Sequence, residues 1–203
     1  MDLFGCIETG NYPGRVIISD DPLRVKMLAA HHLENAVLMF EQDDILVWFG
    51  SYNGTAIALV SAGFNTGSVS EYLEDAKRLG VTELIYIGEC ISASSRFALR
   101  SVILADGGES GLLARAQKAG VKYSIPVAVQ PVFTRGSITP DFKGLADEDT
   151  GGLYEQAEKL GIAALSILTV TKNTDTGEQM EEHERRSRLY NAARIAFETL
   201  TLI

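Results

Sequence analysis

Three times along this chain an amphipathic stretch runs into a lysine, a glycine and then a run of β-branched and aliphatic residues. The first copy spans 72–79, with Lys77, Gly80-Val81 and Leu84-Ile85-Tyr86-Ile87. The second spans 112–119, with Lys118, Gly120-Val121 and 125–129. The third spans 153–160, with Lys159, Gly161-Ile162 and 165–170. Glycine suits the left-handed residue that closes a helix, and a lysine in the last turn faces the negative end of the helix dipole. The runs that follow are apolar on both faces, as strands are when helices cover a largely parallel sheet on both sides. The glycines fall 40 and 41 residues apart. The copies share only this helix–glycine–strand grammar, so the pattern predicts an α/β fold rather than a solenoid.

The rest of the chain fits the same class. Val16-Ile17-Ile18 reads as a strand. Pro22 opens a helix through about Leu33, with Asp20 or Asp21 as its N-cap. Residues 45–49 and 56–60 flank Gly50-Ser51-Tyr52-Asn53-Gly54, which predicts a hairpin with Asn-Gly in the turn. Leu189, Ala193, Ala196 and Leu200 share one face of a C-terminal helix. Residues 178–188 are charged nearly all round and read as a solvated helical face laced with (i, i+4) pairs. Residues 136–150 form a loop near the mouth of the fold. At 203 residues the expectation is one domain over 1–203.

The net charge of −9 argues against a nucleic-acid partner, which needs a basic face to displace counterions, and against docking on anionic lipid. A small anionic ligand stays possible, because one local arginine overrides the global sign. No apolar run approaches the roughly 20 residues that span a bilayer. Met1-Asp2-Leu3-Phe4-Gly5 does not open a signal peptide. Cys6 and Cys90 make neither a disulfide framework nor a zinc spacing, and read as reduced thiols of a cytoplasmic protein.

In open α/β sheets ligands sit beyond the carboxyl ends of strands. Five such ends are legible here: 19–24, 61–68, 88–92, 131–135 and 171–175. The 63–68 loop leads into a helix, so its backbone N–H groups either hold an anion or simply connect strand to helix. Ser92, Ser94 and Ser95 are either donors to a ligand or turn formers. His31 and His32 sit late in the first helix, where an imidazolium suits the dipole. No Ser/His/Asp or metal constellation is visible by spacing.

Five marks in order resemble the nucleoside phosphorylase family, which includes the trimeric and hexameric purine nucleoside and uridine phosphorylases and the related nucleosidases. They are Asp21-Pro22-Leu23-Arg24, the Gly50-Ser51-Tyr52-Asn53-Gly54 hairpin, Ile85-Tyr86-Ile87-Gly88-Glu89-Cys90, the stretch from Asp147 through Gly152-Leu153-Tyr154 into Ile167-Leu168-Thr169-Val170-Thr171, and the helix over 184–200. The resemblance implies one α/β domain around a mixed, mostly parallel, barrel-like sheet flanked by helices, with no cofactor or metal, in a homo-oligomer: a dimer, trimer or hexamer.

It also implies a site. Arg24 matches a phosphate-binding arginine. The glycine beside it in the family is Asp20 here, a second phosphate arginine lent to a neighbouring subunit is Asp43, and a third arginine and a serine are Tyr86 and Glu89. Like charges repel strongly in a partly desolvated pocket, so three acids at Asp20, Asp43 and Glu89 disfavour phosphate. Asp147-Glu148-Asp149 matches the family's ribose-gripping Glu-Met-Glu; Glu148 and Asp149 either hold the sugar or form a solvated acidic loop. Phe64 stands where a methionine meets ribose and base. Phe133 either stacks on a base or fills the core. Lys172 replaces the general-acid aspartate, and either donates to the leaving base or is an exposed loop lysine. Gly107-Gly108 leads almost directly into the next helix, where the family has a longer segment walling the pocket, so the expected pocket is more open.

The partners implied are a nucleoside or nucleobase and, through Arg24, phosphate. Three functions follow: phosphorolysis of a nucleoside, hydrolysis with Glu89 or Asp20 activating water and Lys172 assisting the base, or binding of a nucleoside or partner subunit without catalysis.

Overall fold

The computed structural model describes residues 10–61, 66–137, 139, 141–187 and 189–202. Cys6 and residues 62–65, Phe64 among them, lie outside the described residues, as do the side chains of 66–71.

Strand β1 (Arg15–Ser19) is the central short strand, and helix α1 (Pro22–His32) follows it. Asp21, not Asp20, caps α1: its Oδ1 accepts from Leu23 N at 2.8 Å, with Pro22 at the first helical position, where proline's missing N–H costs nothing. Strands β2 (Glu34–Gln42), β3 (Ile45–Tyr52) and β4 (Thr55–Ser61) form an antiparallel meander. The β3–β4 turn has Asn53 at φ 50° and Gly54 at φ 74°, the two left-handed residues that match the twist of a tight hairpin. Strand β2 is not legible in the sequence pattern.

The three repeats become α2 (Thr66–Arg78) with β5 (Glu83–Ser92), α3 (Ser110–Tyr123) with β7 (Val127–Gln130), and α4 (Thr150–Leu160) with β10 (Ala163–Asn173). Gly80 and Gly161 take positive φ just past their helices. Gly120 does not. Helix α3 runs three residues further and is closed by Ser124 in the left-handed region. A Cβ on Gly120 would lie 3.0 Å from the Ile125 carbonyl and 3.1 Å from Val127, so this glycine serves the close approach of α3 to β7.

Strand β6 (Val102–Ala105) lies between β10 and β7, and the short strands β8 (Val132–Thr134) and β9 (Leu145–Asp147) complete the ten strands among the described residues. The order is β2-β3-β4-β1-β5-β10-β6-β7, with β9 on β5 and β8 on β9. β1 is parallel to β4 and β5, β10 is parallel to β5, and β6 runs antiparallel to β10. The sheet does not close: β2 and β7 end it unpaired with each other. The ends of β5 and β9 meet without closure. β5 is twice the length of β1, and its last residues, Ile91 and Ser92, pair with β9.

Side chains alternate across the sheet into two cores. Leu84, Tyr86 and Cys90 pack with α2 and α4, while Ile85 and Ile87 pack with α1, α3 and the C-terminal helix α6 (Tyr190–Thr201). Leu189, Ala193, Ala196 and Leu200 are buried, as their periodicity predicts. The 184–200 segment is not one helix. Helix α5 (Glu182–Ser187) is separate, and Leu189 at ψ 40° stands between it and α6. His32 stacks on Phe197 at 4.7 Å. Burial lowers its pKa, so the neutral imidazole is favoured there, against the dipole argument. Among the described residues no helix is long and apolar enough to cross a membrane.

Candidate functional site

A cavity of about 450 Å³ opens beyond the carboxyl ends of β1, β5 and β9, with η1 (Arg135–Ser137) and α5 as its other walls. Seven of its lining residues are acidic, and Arg135, Arg185 and Arg186 supply positive charge. β1 brings Asp20 and Asp21, β5 brings Tyr86 and Glu89, and β9 with its following turn brings Asp147, Glu148 and Asp149.

Arg24 reaches this site from α1 and is buried, 2% exposed. Its Nη1 donates to Ser19 Oγ at 2.9 Å and to Asp20 Oδ1 at 2.6 Å. Its Nη2 donates to Glu89 Oε1 at 2.6 Å and to the Arg185 carbonyl at 3.2 Å. Arg185 Nη1 in turn donates to Glu89 Oε2 at 3.1 Å. Both Glu89 oxygens are therefore taken by arginines, and both terminal nitrogens of Arg24 by carboxylates.

A second pair locks α5 down beside the first. Arg186 donates to both Asp21 oxygens, at 2.8 and 3.3 Å. Burial opposes the Asp21 charge, but the bonds from Arg186 and Leu23 N and the nearby Arg24 hold its carboxyl below the ordinary value. Earlier in the same helix, Glu184 accepts two bonds from Arg100, at 2.6 and 2.7 Å. The charges of 178–188 thus reach across the chain to β1, β5 and the loop before β6, where the sequence reading had them paired along one solvated helix. Arg185 and Arg186 were missed for this reason: periodicity reports local partners only.

The β9 corner behaves differently. Asp147 is buried and accepts from Thr150 Oγ1 at 2.5 Å and Thr150 N at 3.2 Å. Burial pushes its carboxyl up to about 6, against the pull of these bonds. Asp149 is raised as well, by burial first, with the Tyr86 hydrogen bond working against it. Tyr86 Oη donates to Asp149 Oδ2 at 2.8 Å. The ring of Tyr86 lies back over Gly88, where a Cβ would sit 2.4 Å from its Cε1. Only glycine leaves room for that rotamer.

The expected residues divide. Glu89, Glu148 and Asp149 line the cavity, and Arg24 holds Asp20 and Glu89 from behind. Lys172 does not line it. Its side chain is exposed, beside a register shift in β10, and its backbone bridges to Gln179. Phe133 does not line it either; it is 46% exposed and meets Phe142 edge-on at 5.5 Å. Asp43 sits exposed in the β2–β3 turn at φ 53° and does not line this chain's own cavity; the resemblance places it in a neighbouring subunit's site. Ser92 and Ser94 serve a turn, bonding each other's groups. The Gly107-Gly108 turn borders a separate cleft against Tyr154 and α4, not this cavity. Cys90 is buried as a free thiol whose pKa burial raises.

The class of protein follows from fold and relatives together. The structure superposes on purine nucleoside phosphorylase from Toxoplasma gondii in complex with immucillin-H with a TM-score of 0.83, covering 95% of this chain and 92% of that one at 17% identity. A DeoD-type purine nucleoside phosphorylase of Geobacillus kaustophilus is 30% identical over 94% of each chain. The corresponding protein of Bacillus velezensis is 28% identical over 96% of this chain and 97% of its own. No family model matches the sequence. At this identity and coverage the chain belongs to the nucleoside phosphorylase family.

Proposed function

We propose that the protein holds a nucleoside in the β1/β5/β9 cavity and does so without inorganic phosphate. The observation that carries this is the state of Arg24. Its two terminal nitrogens are spent on Asp20 and Glu89 at 2.6 Å each, in a pocket whose other carboxylates repel an anion. The sugar side supports the nucleoside half of the reading. Asp149 and Glu148 present carboxylate oxygens, the acceptors that a vicinal diol needs. The relatives named purine nucleoside phosphorylases support a nucleoside, and a purine one first, as the ligand class.

A second reading, hydrolysis of the N-glycosidic bond, rests on Asp147. A cavity carboxyl raised to about 6 is matched to proton transfer near neutral pH. Glu89 has both oxygens taken by arginines, so the water-activating role the sequence offered it passes in this reading to Asp147. In hydrolysis, water oxygen attacks the anomeric carbon, a carboxylate takes its proton, and the base leaves with the electrons of the C–N bond.

Base release from a panel of purine and pyrimidine nucleosides, with and without phosphate, tests both. Phosphate-dependent release overturns the phosphate-free reading. Phosphate-independent release supports hydrolysis. Saturable nucleoside binding with no release supports a binding role. The family resemblance also carries a homo-oligomer, which light scattering at micromolar concentration tests; a monomer there ends that expectation.

A further inference from the structure

Tyr86 has the most constrained position of any cavity residue that no function above absorbs. It is 4% exposed. Its ring is fixed over Gly88, and its hydroxyl is committed to Asp149 Oδ2 at 2.8 Å. A phenol has one proton. Having given it to Asp149, Tyr86 offers a ligand only oxygen lone pairs. Asp149 likewise offers only acceptors, with Oδ1 left over. Two adjacent acceptors suit a ligand that donates, such as a sugar hydroxyl, and repel the oxygens of an anion.

We propose that Tyr86 is a positioning and selectivity residue of the nucleoside site: its hydroxyl fixes the Asp149 carboxylate, leaves Oδ1 to accept from a sugar hydroxyl, and closes this corner to phosphate. The proposal rests on the nucleoside reading above. The charged groups around Asp149 are Asp20 after β1, Asp147 and Glu148 on the β9 corner, and Arg135 of η1. Asp20 and Glu148 disfavour its ionised form, and Arg135 favours it. The Tyr86 bond is one of the few influences that favour it.

The test compares the full-length protein with Tyr86→Phe, which keeps the ring over Gly88 and removes only the hydroxyl. Two readouts are needed: the titration of the Asp149 carboxyl by carbon-13 NMR, assigned with Asp149→Asn, and the affinity for inosine and uridine across acid to neutral pH. In Tyr86→Phe the Asp149 titration moves to higher pH, because a bond that favours the carboxylate is gone. The acid limb of nucleoside binding moves with it, and affinity at neutral pH falls about tenfold, as for loss of a hydrogen bond to a charged group. An Asp149 titration unchanged in Tyr86→Phe overturns the positioning role even when both nucleosides bind. A shifted titration with unchanged nucleoside affinity and pH profile overturns the ligand role. A wild type that binds neither nucleoside ends the nucleoside reading and the ligand role with it, and the titration then shows separately whether Tyr86 holds Asp149.

Discussion

Replacing Glu89 by glutamine cuts a chain of charges that runs from Asp20 through Arg24 and Glu89 to Arg185. Glu89 is 17% exposed and Arg24 2%. Two unit charges about 4 Å apart at an effective dielectric of about 20 attract by about 4 kcal/mol. Stripping a buried charge of its whole partner costs about 3–5 kcal/mol. Arg24 keeps Asp20 at 2.6 Å, and the glutamine oxygen still accepts from it, so the net loss is about 1–3 kcal/mol. Arg185 is 38% exposed and adds little, because exposed pairs contribute roughly 0–1 kcal/mol. For a chain of this size 2 kcal/mol lowers Tm by about 4–8 °C. Phosphate should then reverse part of the loss, since Glu89→Gln frees positive charge on both Arg24 and Arg185. An anion at ten times its Kd restores about 1.4 kcal/mol. Thermal unfolding of wild type and variant, with and without phosphate, reads both effects. Phosphate that stabilises wild type as much as the variant refutes the reasoning, because Arg24 would then be available without removing Glu89. A variant as stable as wild type refutes it too.

Three further outcomes follow from the same geometry. Asp147→Asn should be more stable than wild type at pH 8, with a ceiling of about 3 kcal/mol from the gap between 3.8 and about 6. The folded-state carboxyl is raised, so the penalty for ionising it is fully present above about 6 and fades as pH falls toward 3.8; urea unfolding at pH 8 and pH 4 shows whether the difference vanishes in acid. Gly88→Ala drives a methyl to within 2.4 Å of the Tyr86 ring and should cost about 1–3 kcal/mol, as overpacking does, measured by urea unfolding. Lys172→Ala should leave nucleoside binding and any base release unchanged and shift stability by less than about 0.5 kcal/mol; a loss of function in that variant would put Lys172 back in the site.

The alternation of helix, glycine and β-branched run carried the fold class, because both-face burial of a strand leaves its mark on every residue of the run. Gly80 and Gly161 were legible for the same reason: a left-handed residue after a helix is a local demand. Gly120 misled because packing of α3 against β7 also asks for glycine, and the sequence does not distinguish the two causes. The Asn53-Gly54 turn was legible and strand β2 was not, since an exposed edge strand with Val37, Leu38 and Met39 in solvent has no clean alternation to show.

The site divides along the same line. Glu89 and Asp149 were legible as residue types at matching positions. What they do was decided by distance. Arg24 pairs with Glu89 at 2.6 Å, 65 residues away, only because α1 and β5 pack side by side. Arg185 and Arg186 joined the pocket only when α5 folded back over β1 and β5. Lys172 left it because a register shift in β10 puts its side chain in solvent. A sequence records the demands each residue makes on its neighbours in the chain: helix periodicity, turn handedness, strand burial. Charge pairing across the fold leaves no such record, because its partners are fixed by the packing of whole elements, and here that packing determines which arginines line the cavity.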